Sequence, residues 1–254
     1  MKSVKDLMMR QPDEIKGEKL YEGKAKALYR TPVDGVMLME FKDDATAFDG
    51  KKKGTIVEKG YFNAQISAIL LRYLEECGIQ THFIDQMAER YHLVSELDML
   101  SVEVVMRNIA AGSLARRLGF EEGQVMAYPI LEFYYKDDAL SDPWLNASHI
   151  KAMDLATDDE VLCLEEKGRQ VNEYLQRFLQ PRGLQLVDFK LEFGRDSEGA
   201  LILGDEITPD TCRFWDVGSG DKLDKDRFRQ DLGDVEDAYK EVLRRVSQEV
   251  PLCG

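Results

Sequence analysis

Apolar positions along the chain fall into two periods. From Lys59 to Glu76, Phe62, Ile66, Ile69, Leu70 and Leu74 recur at helical spacing, and the run stops near Gly78, which predicts an amphipathic helix. A second long helix is predicted after Thr157, an N-cap with Glu160 three residues on to complete a capping box. Its apolar stripe is Val161, Leu164, Val171, Leu175, Phe178 and Leu179, and Pro181 ends it. A last helix is predicted from about Val235 to Val246, and a short one over Ser113–Leu118, with Ser113 as N-cap and Gly119 as the stop. Strand patterns occupy residues 19–31 (two short strands around a glycine turn), Val36–Phe41, Val102–Ile109, Gln185–Phe193 and Leu201–Ile207, the last two joined by the turn Gly194–Gly199. Strands and helices mix without a regular βαβ rhythm, so the fold class expected is α+β. The expected boundary lies near residues 98–112, dividing a smaller N-terminal unit, 1–105, from a larger C-terminal one, 106–254. No repeat or low-complexity tract interrupts the pattern.

Charge narrows the function classes. The 254 residues carry 34 Lys plus Arg against 48 Asp plus Glu, a formal net charge of −14. That excess argues against a general nucleic-acid binder and against docking on anionic membranes. It leaves room for a small anionic ligand held by a local basic cluster. A hydrophobic fraction of 44% with 32% charged residues suits a folded soluble chain. No apolar h-region opens the sequence and no run of about 18 apolar residues occurs, so neither a secretory signal nor a membrane span is expected. Cys77, Cys163, Cys212 and Cys253 are scattered and form no CxxC pair, which reads as reduced thiols in the cytoplasm. His82, His92 and His149 form no metal-spaced pair and read as core or surface residues.

Four segments hold candidate chemistry. In LVDFKLEFG, 186–194, strand alternation puts Val187, Phe189, Leu191 and Phe193 on one face and Asp188, Lys190 and Glu192 on the other. The following LILGDE adds Asp205 and Glu206, and antiparallel pairing would bring Asp205 near Glu192. Two such carboxylates suit Mg²⁺, a hard cation that keeps sites for phosphate oxygens; the same pattern also fits a solvated strand face with cross-strand ion pairs. In TPDTCRFWD, 208–216, a turn at Pro209–Asp210 would hold Arg213 for bidentate capture of phosphate or carboxylate, or simply expose it. In VEVVMRNIAAGSLARRLG, 102–119, Arg107 ends a strand, small residues follow, and Ser113 starts a helix that suits an anion or merely caps itself. In YEGKAKALY, 21–29, Lys24 and Lys26 flank a hairpin turn, although the spacing is not that of a Walker A loop.

Together, YEGKAK, RNIAAGSLARRLG, FYYKDDALSDP, LVDFKLEFG, LGDEITPDTCRFWD and DKDRFRQ closely resemble the phosphoribosylaminoimidazole-succinocarboxamide synthase (SAICAR synthetase) family, in family order from about Lys19 to Ser247. The resemblance implies a fold related to ATP-grasp and kinase-like architectures, with ATP between two lobes. It implies ligation of L-aspartate to the carboxylate of CAIR (carboxyaminoimidazole ribotide) in de novo purine biosynthesis, with ATP hydrolysed to ADP and phosphate through an acyl phosphate. Its small-molecule partners would be CAIR and L-aspartate, its cofactors ATP and Mg²⁺; a homo-oligomer is compatible with it. By the same resemblance, Lys24, Ala25 and Lys26 would cover the phosphates, Val102 and Val104 would offer backbone to adenine, and Lys136, Glu192 and Asp205 would face ATP. Glu192, Asp205 and Asp142 would be the metal-site acids. Asp49, Arg107, Ser113, Asp210 and Arg213 would hold the ribotide, and Lys190 would stabilise the transferring phosphoryl or the acyl phosphate. The alternatives are a small-molecule kinase on a related scaffold, which would not need both RNIAAGS and TPDTCR, and a non-catalytic nucleotide-binding protein, which would not need Glu192 and Asp205.

Overall fold

The computed structural model describes residues 3–47 and 52–249. Two short helices, α1 (Val4–Met8) and α2 (Pro12–Ile15), lead into the hairpin of β1 (Lys19–Glu22) and β2 (Lys26–Arg30), then β3 (Val36–Phe41) and the ribbon of β4 (Asp44–Ala47) and β5 (Lys52–Thr55). Helix α3 (Lys59–Glu76) precedes β6 (Phe83–Ala88) and β7 (Tyr91–Ser95). Strand β8 (Asp98–Ile109), α4 (Gly112–Leu118), β9 (Val125–Tyr135), β10 (Trp144–Leu145), α5 (Ala147–Ala152) and α6 (Asp158–Leu179) follow. The chain ends in β11 (Leu184–Arg195), β12 (Leu201–Gly204), β13 (Cys212–Asp216), α7 (Asp226–Arg229) and α8 (Val235–Val246).

The first sheet runs β1-β2-β3-β7-β6, and the larger one runs β10-β9-β8-β11-β12 with β13 also on β11. Changeover between them falls between Ser95 and Asp98, just before the expected 98–112 window, and the expected division at 105/106 falls inside β8. An isolated parallel bridge pairs Thr81, two residues before β6, with Leu203 of β12. The main core fills the space between the large sheet and α3, α6 and α8; α1 and α2 cover a smaller core against β2, β3 and β7. The Thr157 cap and Glu160 box start α6 as the sequence predicts.

Alternation gives the large sheet two unlike faces. Val102, Val104 and Met106 of β8, Leu131 and Phe133 of β9, and Phe189, Leu191 and Phe193 of β11 face the core. Glu103 and Arg107, Glu132, and Asp188, Lys190 and Glu192 stand on the other face, with Asp188 opposite Arg107 and Glu192 opposite Glu103. That face is not solvated: Asp188 is 3% and Glu192 2% exposed. A bulge between Leu186 and Asp188 breaks the period. It leaves Leu184 and Leu186 in the main core and turns Val187 into a separate cluster with Ile109 and Ala111, so Val187 does not share the face of Phe189.

Candidate active site

Strand β11 is twelve residues long and its outer edge is shared. Its first half pairs with β13 and its second half with β12, both antiparallel. The chain between them, residues 205–211, spans the gap beside Lys190, whose N–H donates to the Thr211 carbonyl at 2.9 Å. Side chains carried by this detour therefore meet the polar face of the sheet.

A cleft of about 570 Å³ opens there. It brings together Lys24, Ala25, Lys26, Lys136, Asp142, Lys190, Glu192, Asp205 and Asp210, all expected from the sequence. Lys190 Nζ donates to Glu103 Oε1 at 2.6 Å and to Glu192 Oε1 at 3.0 Å. Lys136 pairs with the other Glu192 oxygen. From the β1–β2 hairpin, Lys26 pairs with Asp205 and Glu206, and Lys24 reaches Asp138 at 2.7 Å. Burial would raise the Glu192 carboxyl, but the charges of Lys190, Lys136 and Lys26 outweigh it and bring it down to about 2. Burial works against the Lys190 ammonium too, and Glu192 and Glu103 outweigh it, holding it above the ordinary lysine range. Glu103 goes the other way, because burial exceeds the help it gets from Lys190. A larger groove of about 770 Å³ lies elsewhere, lined by Arg72, Tyr73, Phe178 and Arg182 among others. It contains no lysine and none of the expected acids.

Next along β11, Asp188 bridges two arginines. Arg107 Nη1 donates to it at 2.8 Å, and Arg213 Nη1 reaches both its oxygens, at 3.0 and 2.8 Å. Arg107 also donates to Glu132 at 2.6 Å, to Ser113 Oγ at 3.2 Å and to the Tyr134 hydroxyl at 3.0 Å. Arg213 Nε donates to Asp226 at 2.8 Å, and Arg229 shares that carboxylate. Burial disfavours the Arg213 charge, but Asp188 and Asp226 more than restore it. Gly112 makes room for this arginine: a Cβ there would lie 2.6 Å from Arg213 Nη2, and φ is +53°. Arg107, Ser113 and Arg213 thus form one cluster, as expected.

Several expectations need correction. Ser113 does not cap α4: the N-cap is Ala111, without a side-chain bond, and Ser113 lies inside the helix with its hydroxyl on Arg107. Val102 and Val104 face the core and neither lines the cleft; Val104 is paired on both sides, opposite Leu191 and Phe133, whereas Val102 pairs with Tyr135 and lies where the β8–β11 register shifts from Glu103 to Met99. Asp210 stands apart from the arginine cluster. Its Oδ2 accepts from Lys59 at 2.6 Å and Asn63 at 3.2 Å, and its Oδ1 from the Tyr239 hydroxyl at 2.6 Å, with Lys225 at 3.7 Å. Burial opposes its charge, and Lys225 and Lys59 prevail, holding it well below the usual carboxylate range. Asp142 shares the cleft wall, where its carboxylate accepts the Asp137 N–H at 3.0 Å. Among the described residues no three His, Cys, Asp or Glu side chains converge as a metal cluster, so Glu192, Asp205 and Asp142 do not form one. Asp49 lies outside the described residues.

Glu103, Asp188, Glu206, Lys225 and Lys59 were not assigned from the sequence. Alternation along Val102–Ile109 places Glu103 on the same face as Arg107 and is the signal that finds it. Lys59 carries no signal, since it reads as the solvated start of a helix.

Comparisons with known proteins cover this whole region. The family model for SAICAR synthetase matches residues 19–246. A phosphoribosylaminoimidazole-succinocarboxamide synthase of Desulfitobacterium hafniense (strain Y51) is 56% identical over 233 residues, 92% of this chain and 98% of that protein. That of Brevibacillus brevis is 53% identical over 235 residues, with 92% and 98% covered. Among solved structures, the Ehrlichia chaffeensis synthase superposes with a TM-score of 0.89 at 42% identity, covering 92% of this chain and 100% of that one. A SAICAR synthetase (Type-2) in complex with ADP superposes with a TM-score of 0.87 at 50% identity, covering 91% and 98%. With most of both chains matched in sequence and in fold, this chain belongs to the SAICAR synthetase family.

Proposed function

We propose that the chain ligates L-aspartate to the carboxylate of CAIR, giving SAICAR, ADP and phosphate, as a step of de novo purine biosynthesis. The observation that carries this reading is the continuity of the polar face of β11. A lysine–carboxylate cleft at one end adjoins a buried arginine pair at the other, so two anionic substrates can meet beside Lys190.

Eight carboxylates and five lysines line the cleft. That balance repels a bare polyphosphate and suits one that arrives with a cation. Mg²⁺ binds through one or two carboxylates plus substrate phosphates, so the lack of a three-acid cluster among the described residues is no obstacle. Glu192 and Asp205 would hold it, and the metal would supply charge neutralisation at the phosphates. The ADP bound in the related Type-2 structure supports nucleotide use here.

A carboxylate resists attack by an amine because its leaving group is an oxide. The ribotide carboxylate oxygen takes the γ-phosphoryl of ATP, forming one P–O bond and releasing ADP. The aspartate amine then forms the C–N bond, phosphate leaves with the C–O bond's electrons, and the amine proton passes to solvent. In this reading Lys24, Lys26 and Lys136 would meet the phosphate charge, and Lys190 would meet the charge that develops on the carboxylate. Arg107, Ser113 and Arg213 would grip the ribotide phosphate, with Asp188 holding both guanidiniums in place. In this reading the hairpin sheet and the large sheet act as two lobes around the nucleotide. The enzyme would work in the cytoplasm: no helix among the described residues is long and apolar enough to cross a membrane, and Cys77, Cys163 and Cys212 are unpaired.

ADP release with CAIR, ATP and Mg²⁺, with and without L-aspartate and with products resolved by mass, tests the reading. Aspartate-dependent ADP release and a succinocarboxamide product are expected. ADP release that ignores aspartate would replace the ligase with a kinase.

A further inference from the structure

Strand β12 ends at Gly204, and the chain turns at once. Asp205 takes φ +60°, a left-handed conformation that aspartate tolerates better than most residues but that still needs a partner to select it over the extended one. That turn delivers the Asp205 carboxylate to Lys26 in the cleft. The carbonyl of the same residue is met by the buried His82 ring, with Nε2 2.9 Å from the oxygen. His82 is itself fastened to β12: its N–H donates to the Leu203 carbonyl at 2.8 Å, and the Leu203 N–H donates to the Gln80 carbonyl at 3.2 Å. A carbonyl only accepts, so Nε2 carries the ring proton.

His92 gives an internal comparison. It is equally buried and points Nε2 at the Ala64 carbonyl, also at 2.9 Å, but that acceptor belongs to a core helix. The His82 acceptor belongs to a cleft acid in a left-handed turn.

We propose that His82 is a positioning residue that, by donating to the Asp205 carbonyl, fixes the left-handed turn and so the place of the Asp205 carboxylate against a metal-bound nucleotide. This rests on reading the cleft as the nucleotide site. His82 lines no part of the cleft and acts through Asp205 alone.

The test measures affinity for MgADP and for metal-free ADP by calorimetry in the full chain, beside KM and kcat. Glutamine can place an amide N–H near the imidazole Nε2 position; leucine cannot donate. His82→Leu is expected to lose about 10–100-fold in MgADP affinity, the scale of losing a partner behind a metal ligand, with ADP alone and the KM for CAIR unchanged. His82→Gln is expected to restore most of it, and His92→Leu to lower stability without moving MgADP affinity. In an Asp205→Asn background, His82→Leu should add little. If the leucine chain does not fold by circular dichroism, His82→Asn, whose amide is too short to reach the carbonyl, takes its place. Unchanged MgADP affinity, equal losses for MgADP, ADP and CAIR, or no rescue by glutamine would each overturn the proposal. Wild-type chain that binds MgADP but makes no succinocarboxamide would overturn the ligase reading and leave the His82 comparison decisive. No MgADP binding by wild type would overturn both.

Discussion

Lys59 and Asp210 form an ion pair at 2.6 Å with side chains 0% and 3% exposed, joining the start of α3 to the detour between β12 and β13. A cation in the first turn of a helix opposes the helix dipole, so the buried carboxylate answers two needs at once. Removing Lys59 takes the nearer cation from a buried carboxylate and leaves it Lys225 at 3.7 Å. Lys59→Met is expected to destabilise the chain by about 3–5 kcal/mol in denaturant unfolding, whereas replacing both partners by apolar residues should cost less. A loss under 1 kcal/mol would show that Lys225, Asn63 and Tyr239 suffice for Asp210.

Arg213 is held by Asp188 and Asp226 and would meet the ribotide. Arg213→Ala is expected to weaken ribotide binding by on the order of 2–5 kcal/mol, raising the KM for CAIR and leaving that for ATP nearly unchanged. The reverse pattern would move Arg213 to the nucleotide.

Gly112 tests the same cluster by crowding it. Alanine there meets both a left-handed φ and the guanidinium of Arg213. Gly112→Ala should cost about 1–2 kcal/mol of stability from backbone strain alone. It should raise the CAIR KM by displacing Arg213. A stability loss without any KM change would mean the arginine relocates harmlessly.

The pH profile follows from signs. Glu192 falls to about 2 in the fold, below its unfolded value of roughly 4.3. Its contribution is therefore complete above about pH 4.3 and lost as pH falls toward 2. Asp210, depressed too, acts in the same direction. Asp224 has the opposite sign: burial, then repulsion from Asp226, raises it to about 7, so its contribution is present below roughly pH 4 and lost as pH rises to about 7. Unfolding midpoints from pH 2 to 8 should show an optimum between these limbs, and Glu192→Gln should flatten the acid limb. An acid limb unchanged in that variant would remove Glu192 from the account.

The strands and helices that build the site were legible because their patterns are local. Alternation along 186–194 put Asp188, Lys190 and Glu192 on one face, and the Gly194–Gly199 turn brought Asp205 beside Glu192. Val187 was misplaced because a bulge arises from how β13 pairs with β11, which period two does not encode. Ser113 looked like a cap because its type suits one, but the backbone bends a residue earlier to admit Arg213 against Gly112. Lys59 and the Asp210 clamp were invisible, since each partner lies on a different element and their burial comes only from packing.

Residues 205–211 are pinned at both ends by strands on the same edge of β11. Their freedom is surrendered when the chain folds, not when substrate arrives. A segment free to wander would have to be ordered in every catalytic cycle, and that entropy would be subtracted from each binding event. Here Asp205 and Asp210 on the segment, and Arg213 just beyond it on β13, wait at fixed spacing beside β11, so substrate affinity can be spent on alignment of the reacting groups.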